Sequence, residues 1–215
     1  MNEHLLYEPN IGILDYGAGN IASIENAFTR LGHNALKIVK PNLLENVSHL
    51  ILPGVGSFAH AMHSLHSQGW IPHIKKYISQ GYPFLGICLG MQLLFDIGTE
   101  GEQTDGLGLL KGQVLQIKPS IETKVPHVGW NSIQIKSTHP VFKGIKDSVD
   151  FYFVHSYHCV PDDTCDIIAT CDYSEDGIVA SVYENNIVGI QFHPEKSQPL
   201  GLRILNNFAN WDGKC

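Results

Sequence analysis

A cysteine between two glycines is the first feature of the sequence that suggests chemistry. Cys88 lies in GICLGMQLLF, between Gly86 and Gly90, directly after the strand-like residues YPFL. A sharp turn from a strand into a helix exposes the side chain at its apex. The positive end of the helix then favours a thiolate over a thiol. Cys88 is therefore a candidate nucleophile, although a free cysteine is often simply a small buried apolar residue.

A nucleophilic thiol needs a base and a group that orients the base. The stretch GIQFHPEKS supplies both, in His193 and Glu195. Residues i and i+2 share a face of a strand, so we expect the carboxylate to reach the imidazole and complete a Cys-His-Glu triad. The alternative is a surface His-Pro-Glu turn. His155 and His158 are weaker candidates for the base, because no carboxylate neighbours them in the sequence.

A third requirement is a pair of N–H donors for the oxyanion that forms during acyl transfer. The stretch PGVGSF follows a strand-like run, and its glycine-rich backbone around Gly56 can turn N–H groups toward such a charge. The amide of Leu89, directly after the nucleophile, is the second expected donor. An ordinary strand-to-helix turn would also explain these glycines.

The elements that must position these residues alternate between strand and helix in the first half of the chain. Apolar residues at helical spacing follow the first strand and its glycine turn, and Gly32 stands where a C-cap glycine belongs. Such alternation predicts a parallel sheet covered by helices on both faces. The predicted strands are IGIL, ALKIV, HLILP and PFLGI, and the predicted helices are IASIENAFTRL, AHAMHSLHSQ, WIPHIKKYISQGY and LGMQLLFDIG.

The second half of the chain reads as mostly strands. The residues ENN between VASVY and IVGIQF predict a hairpin turn, and PLGLRILNNFANW predicts the last helix. No linker or repeat divides the chain, so residues 1–215 are expected to form one domain. The other predicted strands are GQVLQI, WNSIQI, DFYFVHSYHC and DIIATCDY.

Composition excludes several classes of protein. The 215 residues are 43% hydrophobic with a formal net charge of -7, which suits a globular α/β domain and disfavours nucleic-acid binding. No apolar run reaches the ~18 residues of a membrane span, and the start MNEHLLYEPN has no signal-peptide pattern. An odd number of irregularly spaced cysteines fits a reducing cytoplasm, and the absence of a C-x-x-C pair argues against structural zinc. These cysteines are Cys88, Cys159, Cys165, Cys171 and Cys215.

Three stretches in this order, PGVGSF, GICLGMQLLF and FHPEKS, resemble the class I, triad-type glutamine amidotransferases. Three more, DYGAGNIASIENAF, PHVGWNSI and FYFVHSYH, are similar to the glutaminase subunits of imidazole glycerol phosphate synthases, and the resemblance covers nearly the whole chain. It implies a flavodoxin-like three-layer α/β fold with a mixed central sheet and a β-rich C-terminal half. It also implies hydrolysis of L-glutamine to glutamate and ammonia, with no cofactor and no metal.

The resemblance assigns further residues to the substrate. Gln92 and Glu100 would bind polar groups of glutamine, and Ser156 with the backbone around it would hold the backbone end of the substrate. Without the resemblance, the three residues would read as a solvated helix residue, a loop carboxylate and a strand-end hydroxyl.

The resemblance also implies a partner. It would be a cyclase subunit with a (β/α)8 barrel, forming a heterodimer in which ammonia is channelled to the synthesis of imidazole glycerol phosphate and an aminoimidazole carboxamide ribotide in histidine biosynthesis. Asn20, Trp130 and Lys196 match positions expected at that interface, although Trp130 could equally be a core aromatic. In this family the oxyanion strand can stay in an inactive orientation until the partner signals, so low activity of the isolated subunit is expected.

Three other functions remain open from the sequence. A paralogous subunit would supply ammonia to a cyclase-like partner in surface-sugar biosynthesis. A binding module could keep the fold without catalysis, although intact Cys88, His193 and Glu195 argue against it. A peptidase-like hydrolase with the same turn is a more distant alternative, without support from HVGWN and VHSYH.

Overall fold

The computed structural model of the chain describes residues 9–175 and 177–214. Within these ranges the chain forms thirteen strands and five α-helices. In chain order they are β1 (Ile11–Leu14), α1 (Ile21–Arg30), β2 (Ala35–Ile38), β3 (His49–Leu52), α2 (Phe58–Ser67), α3 (Trp70–Ser79), β4 (Phe84–Ile87), α4 (Leu89–Gln92), β5 (Phe95–Gly98), β6 (Thr104–Asp105), β7 (Leu110–Gln116), β8 (His127–Ile135), β9 (Val149–His155), β10 (Tyr157–Pro161), β11 (Ile167–Cys171), β12 (Ile178–Glu184), β13 (Ile187–Ile190) and α5 (Gln198–Ala209).

A nine-stranded mixed sheet forms the centre of the molecule, in the order β2-β1-β3-β4-β13-β12-β11-β8-β9. The first five of these strands run parallel, and the remaining neighbours pair antiparallel. This confirms the predicted parallel first half and mixed central sheet. The predicted turn at ENN is also present, since β12 and β13 pair as an antiparallel hairpin and Asn185 has a φ of 53°.

Apolar side chains on both faces of this sheet give the fold its three layers. On β3, Leu50 and Leu52 belong to the apolar cluster that includes α2 and α3, whereas Ile51 belongs to the cluster that includes α1 and α5. Successive residues of a strand point to opposite faces, so a strand such as HLIL, in which all four residues are buried, is covered on both sides. The buried residues of α1 are Ile24, Ala27 and Phe28, which follow the predicted helical spacing.

The helix predicted over LGMQLLFDIG is wrong beyond its first turn. The helix α4 contains only four residues, and the chain continues as β5 in a second, four-stranded sheet with the order β10-β7-β5-β6. Met91, Leu93, Leu94 and Phe95 are all fully buried, so this segment has no solvent-facing side. An unbroken apolar run does not distinguish a helix from a buried strand, which explains the error.

The single strand predicted over DFYFVHSYHC is two strands in two different sheets. The strand β9 ends at His155 and lies at the edge of the central sheet, and β10 begins at Tyr157 and pairs with β7. Ser156 lies between them. The crossing from one sheet to the other therefore occurs at a residue that the resemblance assigns to the substrate.

Two sequence-based expectations fall partly outside the described residues. The expected absence of a signal peptide concerns residues 1–8, and Cys215 is likewise outside these ranges. Cys88, Cys159, Cys165 and Cys171 are free thiols. In the part of the chain that the structure describes, every helix is too short or too polar to cross a lipid bilayer.

Candidate active site

Three neighbouring parallel strands end at one edge of the central sheet, and each carries a part of the predicted site. The loop after β3 holds Gly56, the turn after β4 holds Cys88, and the segment after β13 holds His193. Because β3, β4 and β13 are adjacent and parallel, their carboxyl ends meet at this edge. The fold thus brings together residues that are more than a hundred positions apart in the sequence.

Cys88 occupies the tight turn that its flanking glycines predicted. Its φ of 54° lies in the left-handed region, and its N–H donates to the carbonyl of Ile190 at 2.7 Å. A Cβ on Gly90 would lie 1.8 Å from the carbonyl oxygen of Leu52, and one on Gly86 would lie 2.6 Å from the oxygen of Gly90. Both glycines are therefore required by close backbone approach around the turn.

The helix that follows Cys88 is too short for its dipole to favour a thiolate strongly. A helix of four residues has little macrodipole, since that dipole is the sum of many aligned peptide groups. The local amides remain, and the N–H of Leu89 is the first in the helix and has no intrahelical acceptor. That N–H lies beside Cys88 and can serve as the predicted oxyanion donor.

The predicted contact between His193 and Glu195 is present, but for a different structural reason. Nδ1 of His193 lies 2.8 Å from Oε1 of Glu195, and both side chains are almost completely buried. The two residues are not on a strand: β13 ends at Ile190, and Pro194–Lys196 form a turn of 3-10 helix with His193 as its N-cap. The turn curls the carboxylate back onto the imidazole.

The imidazole of His193 interacts with the Cys88 thiol on its other side. Burial disfavours the charged imidazole, but hydrogen bonding to Cys88 and to Glu195 outweighs it and raises the pKa of His193 to about 10. Among the described residues Nε2 makes no hydrogen bond of ordinary geometry, so this nitrogen can take up the proton of the thiol. The cation that results is the form that stabilises a neighbouring thiolate.

Ser197 fixes the backbone that carries the imidazole. Its hydroxyl donates to the carbonyl of His193 at 2.7 Å and accepts from the N–H of Tyr152 at 3.0 Å. The N–H of His193 donates in turn to the carbonyl of Tyr152 at 2.9 Å. The 3-10 turn is thereby tied to β9, and the position of His193 relative to the sheet is fixed.

Most of the sequence-predicted residues line one cavity of about 300 Å³. Glu195 lies behind His193 rather than in the wall, and Asn20 and Trp130 lie outside the cavity. The lining includes Cys88, His193, Gly56, Leu89, Gln92, Glu100, Ser156 and Lys196 from the predicted set, together with Val55, Pro126, Val154, His155 and Tyr157.

Two of the predicted substrate residues are already held by the protein. Glu100 accepts through Oε2 from the N–H of Phe58 at 2.7 Å, at the start of α2. The amide nitrogen of Gln92 donates to the carbonyl of Tyr157 at 2.9 Å. Each side chain keeps an oxygen that can accept a hydrogen bond from a ligand.

Sequence reasoning missed Gln191 and the pair formed by His127 and His155. Gln191 is fully buried, and its Nε2 lies 3.8 Å from the Cys88 sulfur. Nδ1 of His127 lies 2.9 Å from Nε2 of His155 in the wall of the cavity. A single polar residue within the apolar run IVGIQF was the available signal for Gln191.

The residues expected at an interface differ in their surroundings. Trp130 is 44% exposed and packs edge-on against Tyr152, so it is not a core aromatic. Lys196 is exposed, and its ammonium lies over the ring of Tyr152 at 5.6 Å from the centroid. Asn20 is the half-buried N-cap residue of α1 and makes no side-chain capping bond.

A larger cavity of about 980 Å³ lies around β10, β11 and β12, away from these residues. It contains no member of the Cys-His-Glu group. Chemistry rather than volume therefore identifies the smaller cavity as the candidate active site. Within residues 9–175 and 177–214 no cluster of three or more His, Cys, Asp or Glu side chains could hold a metal ion.

Comparison with known proteins identifies the family of the chain. A family model described as "Glutamine amidotransferase class-I" matches residues 12–211. The chain is 45% identical over 201 residues to imidazole glycerol phosphate synthase subunit HisH of Desulfitobacterium hafniense strain Y51, covering 94% of each sequence. It is 42% identical over 204 residues to the subunit of the same name from Geobacter sulfurreducens, covering 93% of this chain and 97% of the relative.

Solved structures share the fold at low sequence identity. PurLQS from Thermotoga maritima matches with a TM-score of 0.74 and 20% identity, covering 94% of this chain and 98% of that one. A glutamine amidotransferase from the same organism matches with a TM-score of 0.65 and 18% identity, covering 95% and 84%. The family model covers nearly the whole chain, and the relatives cover it at well above 30% identity. The chain therefore belongs to the class I glutamine amidotransferase family.

Proposed function

We propose that the chain is the glutamine-hydrolysing subunit of an imidazole glycerol phosphate synthase, and that Cys88, His193 and Glu195 are its catalytic triad. The observation that carries the proposal is the buried line from Glu195 through His193 to Cys88, at a cavity of about 300 Å³. That arrangement provides a nucleophile, a proton carrier and an orienting carboxylate. The shared name of the curated relatives favours the synthase over a surface-sugar paralogue.

The first half of the reaction forms a covalent intermediate. The Cys88 sulfur, having given its proton to Nε2 of His193, attacks the side-chain amide carbon of glutamine. The carbonyl oxygen becomes an oxyanion that accepts hydrogen bonds from the N–H of Leu89 and from the loop at Gly56. Nε2–H of His193 then protonates the leaving nitrogen, so the C–N bond breaks, ammonia leaves and a γ-glutamyl thioester remains.

The second half of the reaction regenerates the thiol. His193, now neutral, takes a proton from a water molecule that attacks the thioester carbon. Collapse of this tetrahedral intermediate breaks the C–S bond, releases glutamate and returns the proton to the sulfur. Glu195 holds Nδ1–H throughout, which keeps Nε2 directed at the reacting atoms and stabilises the imidazolium.

The polar groups of the cavity suit the amino-acid end of glutamine. The unused oxygens of Gln92 and Glu100 are acceptors, and they fit the α-ammonium group of the substrate. The Ser156 hydroxyl, at the crossing between the two sheets, can donate to the α-carboxylate. The cavity volume is consistent with a single small amino acid.

The partner that we propose is a cyclase subunit with a (β/α)8 barrel, bound over the mouth of this cavity. Val55, Val128 and Trp130 are large apolar residues that are 47%, 54% and 44% exposed. Val55 lines the cavity and Trp130 packs on Tyr152, whose ring lies under the cavity residue Lys196. An apolar rim of this kind suits a protein interface, and a closed interface prevents loss of ammonia to solvent.

A direct test uses the complex with a cyclase subunit of an imidazole glycerol phosphate synthase from the same organism. We expect Cys88→Ser to abolish glutamate release while synthesis driven by added ammonia continues, because the cyclase reaction occurs on the other subunit. Cys165→Ser, which removes an exposed thiol outside the cavity, is the matched control and should leave both reactions unchanged. Glutamate release by the Cys88→Ser complex at the wild-type rate would refute the assignment of the nucleophile.

A further inference from the structure

Gln191 is a buried polar residue that directly contacts the proposed nucleophile. It follows the last residue of β13, is fully buried, and places Nε2 3.8 Å from the Cys88 sulfur. Glutamine is rarely buried without a specific partner, because its amide loses hydrogen bonds to water. The environment of this side chain therefore needs an explanation beyond packing.

The orientation of the Gln191 amide follows from one backbone carbonyl. The carbonyl oxygen of Tyr157 can only accept, so the group of Gln92 that lies 2.9 Å from it must be its NH2. The same NH2 lies 3.1 Å from the side chain of Gln191, which must therefore present its oxygen there. The NH2 of Gln191 is left facing the sulfur. The Tyr157 carbonyl therefore determines, through the orientation of Gln92 and then of Gln191, that an N–H group faces the nucleophile.

The Cys88 sulfur has a second polar contact, which shows in which protonation state of Cys88 the Gln191 N–H is needed as a donor. The carbonyl oxygen of Val154 lies 3.9 Å from the Cys88 sulfur and suits the S–H of the neutral thiol. Once the proton has moved to His193, the sulfur is an anion that needs donors, and the Val154 carbonyl offers none. The N–H of Gln191 is a donor already directed at that anion.

We propose that Gln191 is a positioning residue for glutamine hydrolysis: it holds an N–H against the Cys88 sulfur, and Gln92 fixes which end of its amide faces that sulfur. The proposal rests on the proposed role of Cys88 as the nucleophile. It gives Gln92 a second task besides binding substrate. It also links the nucleophile to the wall of the cavity through two side chains.

Two other titratable groups that interact with the sulfur are uncharged near neutral pH. Burial is the main cause that raises the pKa values of Tyr16 and Cys159 above their ordinary ranges, with the charge of Cys88 adding to it. Both groups therefore stay uncharged near neutral pH. Among the described residues that interact with the sulfur, His193, with Glu195 behind it, remains as the charged partner.

The decisive measurement is the pH dependence of Cys88 alkylation by iodoacetamide, resolved by peptide mass spectrometry. Gln191→Met keeps the length and apolar volume of the side chain but removes the N–H donor, while Gln92 keeps its bond to the Tyr157 carbonyl. We expect the midpoint of the Cys88 profile to rise by about one pH unit, with a matching fall of about tenfold in its alkylation rate below that midpoint. The exposed Cys165 in the same sample reports the reagent and should not change.

Ser181→Ala is the matched control variant. Ser181 is also fully buried on the neighbouring strand, and its hydroxyl donates to the carbonyl of Gly189 at 2.8 Å, two residues before Gln191. Its loss should lower stability without moving the Cys88 midpoint. An unchanged midpoint in folded Gln191→Met, or an equal shift in Ser181→Ala, would overturn the proposal.

A second measurement does not require the Gln191 variant to fold. In the wild-type protein, one side-chain amide proton resonance of Gln191 should titrate with the Cys88 midpoint, and Cys88→Ala should abolish that titration. A Gln191 resonance that ignores the state of Cys88 would refute the contact. Both measurements report the protonation state of the Cys88 sulfur. They can therefore fail while the proposed function holds. The proposed function fails if Cys88→Ser complexes still release glutamate.

Discussion

His155 is the centre of a buried group of hydrogen-bonded side chains in the wall of the cavity. Its Nδ1–H donates to the carbonyl of Tyr157 at 2.8 Å, so in the neutral ring Nε2 carries no proton. That nitrogen lies 2.9 Å from Nδ1 of His127. Burial disfavours a second proton on the His155 ring, and the neighbouring imidazoles add to this effect. The folded protein therefore keeps His155 neutral at pH values where an unfolded chain would protonate it.

The energetic consequence can be calculated. Burial is the main cause that lowers the pKa of His155 to about 3, from 6.5 in an unfolded chain. Because the folded value is depressed, the stabilising effect is present above pH 6.5 and is lost as the pH falls toward 3. A full pH unit in that window is worth roughly 1 kcal/mol, so His155 should cost the fold roughly 1 kcal/mol between pH 7.5 and pH 5.5.

Urea denaturation of the wild type and of His155→Gln at pH 7.5 and pH 5.5 tests this expected loss of stability. Glutamine can donate a hydrogen bond to the Tyr157 carbonyl, as the imidazole does, but it does not titrate. We expect the wild type to lose roughly 1 kcal/mol more than the variant on acidification, because the other titrating groups are shared by the two proteins. His63→Gln, at an exposed position of α2, is the control. Parallel losses in wild type and His155→Gln would refute the reasoning.

Further expectations concern catalysis and packing. Glu195→Gln should lower kcat for glutamine less than His193→Ala, because the carboxylate orients and the imidazole transfers the proton; the reverse order in steady-state assays would contradict the triad. Gly90→Ala should cost about 3 kcal/mol or more in urea denaturation, since its Cβ would meet the Leu52 carbonyl oxygen at 1.8 Å. Tyr16→Phe should cost about 1–3 kcal/mol, because a buried carbonyl before the oxyanion loop loses its hydroxyl donor at 2.9 Å; an unchanged unfolding midpoint would argue that water replaces the hydroxyl.

The central sheet was predictable because its signals are local. Strands such as HLIL alternate with amphipathic helices, and a turn such as ENN has residues that accept a positive φ. The second sheet was not predictable in this way. Its strand β5 continues an unbroken apolar run from α4, and its pairing with β7 depends on long-range contacts that hydrophobic periodicity does not record.

The residues of the proposed site likewise fall into two groups, those predicted from local sequence signals and those that depend on contacts between distant elements. Cys88 was identifiable because glycines mark a tight turn after a strand, and that turn is present in the structure. The contact of His193 with Glu195 was expected from strand geometry and arises instead from a 3-10 turn, because Pro194 begins a new helical turn after β13. Gln191 was missed, since its partners come from elements distant in sequence.

The register between β4 and β13 is the one long-range feature on which the proposed chemistry depends. Ile87 pairs with Ile190, so Cys88 and Gln191 are the next residues along each strand and their side chains meet. Phe192, fully buried and stacked on Phe151 at 4.2 Å, anchors the segment on the opposite side. A shift of one residue would exchange the two faces, placing Phe192 against the sulfur and Gln191 in the aromatic core. Packing of a phenylalanine that does not line the cavity therefore sets which side chain meets the nucleophile.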